Sequence, residues 1–208
     1  QLSRLLGCSV LACHAPAQNT DVTKRSGDPL VEHESQELFK EGQALARAGD
    51  LVRAEQYLNA AAERGYPTSE TVPLLIDVCI RGSRYDAALA HARPQLALEP
   101  GNWRLRFLVA TLHLAVGHKH KAKSELTRVL LDAPDAENAH YEMGRLLWTE
   151  SDKQTAIAHW GRYLELAPEG KHAADVRALM RLESQLGNKD AASCENAEPV
   201  QVPSKIAL

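Results

Sequence analysis

The chain has 208 residues, enough for one domain or a repeat array with a substantial core, and a net charge of −3. Its basic residues are spread along the sequence, which argues against the electrostatic footprint of a nucleic-acid binder. Apolar residues make up 44% and aromatics only 5%; alanine and leucine dominate, runs with period-two alternation are missing, and the expected fold class is therefore all-α.

The first element in chain order is "LLGCSVLACHA", a short apolar run after Arg4 with small residues and cysteine at its end. It is too short to span a bilayer and reads as the end of an export leader. The "VLAC" of Val10–Cys13 resembles a bacterial lipoprotein processing motif, with Cys13 the residue to be lipidated. Cys8, ending "LLGC", fits the same pattern less well, because part of the apolar run would stay in the mature chain. The first residue is Gln, so the start of such a leader is expected upstream. Residues 1–13 are thus expected to be a leader and 14–34, polar and aperiodic, a flexible linker to the folded part.

From residue 35 the chain becomes periodic. Pro100, Pro134 and Pro168 each end an amphipathic run and are equally spaced. Ala54, Ala88, Ala122 and Ala156 share that period, early in the second helix of each unit, and Leu58, Ala92, Leu126 and Trp160 follow one turn later on the same face. The preceding helices carry a small residue at Gly42, Ala110 and Gly144, and turn signals separate the two helices at residues 48–50, 81–83, 116–118 and 150–152. Unit two is irregular. It has Ile76 at the small position, which predicts wider helix spacing; Pro73 in its first helix, tolerable in the first turn; and Pro94 inside its second helix, where a kink is expected. In unit one the closing Pro67 comes one residue late.

This pattern resembles the tetratricopeptide repeat (TPR) family, built from 34-residue helix–turn–helix units. The resemblance covers residues 35–168 as units 35–68, 69–102, 103–136 and 137–168, and implies a right-handed α-solenoid of four hairpins. After Pro168, "KHAADVRALMRLESQLGN" places Val176, Leu179, Met180, Leu182 and Leu186 in an apolar stripe with Gly187-Asn188 as a stop, so 169–188 is expected to cap the last hairpin. Residues 189–208 are polar and expected to be disordered.

Chemistry-bearing residues are sparse. Cys8, Cys13, Cys79 and Cys194 are too few and too scattered for a disulfide framework, and Cys79 is expected to pack as a small apolar residue. His118 and His120 sit in a turn flanked by lysines, and His113 points into its helix pair, so no metal or cofactor is expected. There is no phosphate loop or nucleophile elbow, hence no enzyme and no small-molecule substrate.

The TPR resemblance implies a concave groove lined by the first helix of each unit, which in this family binds extended or helical peptides. Projected onto this sequence, the fifth position of units one, three and four is Phe39, Phe107 and Tyr141, so both phenylalanines of the chain share one repeat position. Neighbouring groove positions are Gln43, Arg47, Asp77, Arg81, Arg104, Arg145 and Trp148. Aromatics interleaved with arginine are typical of binding hot spots, and a protein or peptide with acidic and apolar residues would suit them. The opposing expectation is that the aromatics pack against the next repeat or against the N-terminal segment folded into the groove. Chaperone-binding TPR domains grip a terminal carboxylate with Lys and Asn, but here the matching sites are Phe39, Gln43 and Leu74, so that clamp is absent. The sequence therefore points to an interaction scaffold of the bacterial envelope, tethered to a membrane through Cys13. A soluble adaptor, or a non-catalytic module of a larger enzyme, are the alternatives.

Overall fold

The computed structural model describes residues 29–195, and the side chains of 30–185. Nine helices and no strand occur among the described residues: α1 (Pro29–Ala48), α2 (Leu51–Glu63), α3 (Thr68–Arg81), α4 (Tyr85–Leu98), α5 (Trp103–Ala115), α6 (Lys119–Asp132), α7 (Glu137–Thr149), α8 (Lys153–Leu166) and α9 (Ala173–Glu195). The first eight pair as four antiparallel hairpins. Each second helix packs on the first helix of the next unit, and α1 also reaches α3, the contact pattern of a stacked solenoid.

The hairpins are held by complementary residue sizes at one crossing point. Gly42 lies against Leu58, and a Cβ on it would sit 2.8 Å from the leucine Cγ. Gly144 lies against Trp160, where a Cβ would come within 2.5 Å of the indole. Unit three uses Ala110 and Leu126, both fully buried in one cluster. Unit two inverts the sizes: the large residue, Ile76, is on the first helix and the small one, Ala92, on the second, again in one cluster. Its two helices, α3 and α4, are in less close contact than those of the other hairpins, as the presence of Ile76 predicts.

The turn inside each hairpin repeats as faithfully as the core. Gly49, Ser83, Gly117 and Ser151, each one repeat after the last, all take left-handed φ angles of 87°, 56°, 80° and 66°. The following N–H closes each turn onto the carbonyl of Leu45, Cys79, His113 or Leu147, at 2.8–3.0 Å. In unit two the left-handed residue is therefore Ser83, while neighbouring Gly82 stays at φ −82°. Asp50, Asn102 and Asp152 cap α2, α5 and α8, each accepting from the N–H three residues on.

The closing prolines also have a shared function in packing. The carbonyl of Pro100 accepts from Arg106 Nη2 at 2.6 Å, that of Pro134 from His140 Nε2 at 2.9 Å, and that of Pro168 from Arg177 Nη2. A side chain of the next helix thus satisfies the carbonyl at each unit boundary.

Three boundaries differ from the sequence expectation. α1 begins at Pro29, inside the expected linker 14–34; proline is well placed as a first helical residue because its missing N–H would have had no intrahelical partner. Pro73 is in the second turn of α3 rather than the first, since that helix starts at Thr68. It and Pro94, which lies inside α4, are both solvent-exposed, so water can take the carbonyls that lose a partner. α9 runs through Gly187-Asn188 to Glu195, so the expected stop does not end it and residues 189–195 are helical. It caps α8 through Ala173 and Val176, both buried, while Leu179 and Leu182 of the expected stripe are exposed. Cys8, Cys13, residues 14–28, the side chains of Leu186 and Cys194, and 196–208 lie outside the described residues.

Candidate partner-binding face

The residues projected onto the first helices separate by chemistry. The aromatics are mostly committed to packing. Phe39 is 6% exposed and stacks on Tyr66 with ring centroids 4.2 Å apart. It closes the boundary between units one and two and offers nothing to a ligand, which corrects its assignment as a groove residue. The cause is Tyr66, which follows the left-handed Gly65 and falls directly over the ring.

Tyr141 is half-buried, with His172 stacked on it at 4.0 Å and 6° and Tyr163 at 5.5 Å. Burial, followed by the charge of Glu142, raises its phenol pKa. Trp148 is half-buried against Trp160 at 5.1 Å, with Lys153 Nζ 5.3 Å from its ring centre. Phe107 is half-buried against the cluster formed by Ala110, Leu126 and Met143. These three present only part of their surface.

The charged positions are open. Arg47, Asp77, Arg81, Arg104 and Arg145 are all exposed, and Gln43 is half-buried. Arg81 pairs with Asp77 at 3.6 Å and donates through Nη2 to the carbonyl of Ala46 at 2.8 Å, capping the end of α1 and joining two units. Arg145 pairs with Glu142 at 2.7 Å. Among the described residues, no hydrogen bond, ion pair or ring contact joins any two of the projected positions except Asp77 and Arg81.

Sequence reasoning missed a cavity of about 480 Å³ between α3, the end of α4 and the start of α5. Val72, Ile76, Leu105 and Leu108 give it an apolar floor. Arg104 stands at its edge with its guanidinium 4.4 Å from the Trp103 ring centre. The signal was present in the irregular pairing of Ile76 with Ala92, but spacing alone does not say where the space so left will open. The second group missed is Glu55, Cys79 and His91, which converge from α2, α3 and α4. Burial and the neighbouring Glu55 charge push the Cys79 thiol up to about 11.

Comparison with known proteins agrees with this architecture. A sequence profile described as tetratricopeptide repeat matches residues 80–146. A TPR repeat-containing protein of Rhizobium etli is 27% identical over 195 residues, covering 90% of this chain and 92% of the relative. Among solved structures, a tetratricopeptide repeat protein from Parabacteroides merdae superposes with a TM-score of 0.65 at 25% identity, covering 76% of this chain and 62% of that one. YrrB, described as a TPR protein with an unusual peptide-binding site, has a TM-score of 0.60 at 15% identity, covering 69% of this chain and 74% of its own. The TPR is in general a non-catalytic protein-interaction module. With one period now seen in the turns, the crossing points and the proline carbonyls, the chain has the fold of a tetratricopeptide repeat protein and is similar in sequence to proteins of that kind.

Proposed function

We propose that the chain is an interaction scaffold whose first-helix face binds a segment of a partner protein carrying acidic and apolar residues. The observation that carries this reading is the apolar cavity between α3 and α5 with Arg104 at its rim. Its volume suits one or two apolar side chains, and exposed Arg47, Arg81 and Arg145 add positive charge along the first helices for an acidic segment. The aromatic positions contribute less than their sequence pattern implies, because Phe39 is buried and Tyr141 is covered by His172. The peptide-binding description of YrrB supports the reading at the level of fold.

The test is selection from displayed peptide libraries, followed by affinity measurement on the enriched sequences. Acidic–apolar peptides should be enriched, and joint replacement Arg47→Glu, Arg104→Glu and Arg145→Glu should weaken them at least about tenfold with helicity retained. Enrichment of basic sequences, or affinities indifferent to the reversal, would overturn it.

The leader-like sequence ending at Cys13 supports placing this scaffold on a bacterial membrane through a lipid anchor. No helix among the described residues is long and apolar enough to cross a membrane. Intact mass and membrane fractionation of the protein expressed from its native start would decide the matter. A lipid adduct on Cys13 supports the tether, and an unmodified chain in the supernatant leaves an untethered adaptor.

A further inference from the structure

We propose that Glu55, Cys79 and His91 form a binding site for a zinc-like divalent transition-metal ion at the junction of units one and two. Glu55 comes from α2, Cys79 from α3 and His91 from α4. One ligand atom from each lies within 4.8 Å of the other two. Cys79 Sγ is 3.4 Å from Glu55 Oε1, and His91 Nε2 is 3.8 Å from the same oxygen. Around a tetrahedral zinc, with bonds of about 2.0–2.3 Å, ligand atoms sit roughly 3.3–3.8 Å apart, so modest side-chain adjustments suffice.

The donor set selects the ion. A thiol sulfur with an imidazole nitrogen suits zinc or cobalt, whereas magnesium and calcium take oxygen ligands. Cys79 is fully buried, while the side chains of Glu55 and His91 are 16% and 24% exposed, which leaves an approach from the His91 side. Water would supply the fourth ligand, as at zinc sites with three protein ligands.

Arg84 positions the carboxylate. Its guanidinium holds Glu55 Oε2 and also donates to the Leu51 carbonyl, which leaves Oε1 turned toward Cys79 and His91. Outer partners of this kind commonly orient metal-binding carboxylates. Binding would displace the thiol proton: Cys79–SH and M²⁺ give the thiolate–metal bond and one released H⁺.

The solenoid itself does not demand these residues. The equivalent positions one repeat on are Leu89, His113 and Glu125, and two repeats on they are Lys123, Leu147 and His159. Neither group supplies three ligands, so a fold that elsewhere places leucine among these positions carries a complete donor set at one junction.

The experiment is titration of the reduced, metal-free full chain with Co²⁺, followed by displacement with Zn²⁺. One equivalent of Co²⁺ should give the sulfur-to-cobalt charge-transfer absorption and the visible bands of a four-coordinate ion. The absorption should survive joint Cys8→Ser, Cys13→Ser and Cys194→Ser replacement but vanish in Cys79→Ser. His91→Gln, near the surface and expected to fold, should lower Zn²⁺ affinity at least about tenfold and abolish the rise in melting midpoint produced by Zn²⁺. Absence of the charge-transfer band, its survival in Cys79→Ser, or Zn²⁺ stabilisation unchanged in His91→Gln would each overturn the proposal.

Discussion

Units two and four solve the same packing problem in opposite ways. In α7/α8 a glycine admits a tryptophan: Gly144 takes Trp160 on its surface, and the indole also donates through Nε1 to the Tyr141 carbonyl at 3.3 Å. Tyr163 and Trp148 complete an aromatic cluster around it. In α3/α4 the large residue is Ile76 and the small one Ala92, two prolines interrupt the hydrogen-bond ladders, and a cavity opens beside the hairpin. What the two share is a pairing of one large and one small residue at the crossing, rather than either residue. The unit that departs from the repeat is also the one with room for chemistry, since it holds the cavity and shares the cluster of Glu55, Cys79 and His91.

The comparison breaks most sharply at its tightest contact. Gly144→Leu should cost about 1–3 kcal/mol, because the indole of Trp160 has little freedom to give way. Ala92→Leu in unit two should cost a similar amount alone, yet adding Ile76→Ala should recover much of the loss by restoring the small–large order used elsewhere. Chemical denaturation of the four unit-two proteins (parent, singles, double) would measure that coupling; strictly additive effects would show that these residues do not share one crossing.

A smaller effect is expected in the turns. Ser83→Gly and Ser151→Gly should each raise stability by about 0.5–1 kcal/mol, because serine bears a steric penalty at positive φ that glycine avoids. A loss in either variant would mean that the serine side chain contributes more to the turn than its backbone strain removes.

The last contrast is between two histidines. His91 of unit two and His159 of unit four occupy the same repeat position, but the first faces a carboxylate and the second another imidazole. His140 donates through Nε2 to the Pro134 carbonyl, so its Nδ1 accepts from His159 Nδ1–H at 3.0 Å while both rings are neutral. Burial, and next the charge of His140, hold the His159 pKa below the imidazole range. The unfolded chain takes up a proton near pH ~6.5 and the folded one does not. The contribution of the neutral ring is therefore complete above that pH and is lost as pH falls toward the lowered folded value. His159→Gln should flatten the acid side of the stability profile, leaving a residual slope from buried His113, whose pKa is also lowered by burial. An unchanged slope would show that His159 is not protonated differently in the folded and unfolded chains.

The repeat was legible because a solenoid uses each spacing several times. Gly42 and Gly144 are needed by a local crossing that recurs, so four weak signals in one register become a strong one. The candidate face was legible only by position. The spacing brought Phe39, Phe107 and Tyr141 into one column, but neighbours from other elements set their exposure: Tyr66 covers Phe39, and His172 covers Tyr141. The end of α9 was misread because glycine and asparagine weaken a helix without having to stop it.

By itself, then, the sequence determined the helical class, the repeat period, the four hairpins and the irregularity of unit two, all of which follow from local propensity and repeated spacing. Only the tertiary structure decided which aromatics face solvent, where the cavity opens, and that Glu55, Cys79 and His91 meet. Those outcomes depend on contacts between elements well separated in sequence, and no spacing within one helix encodes them.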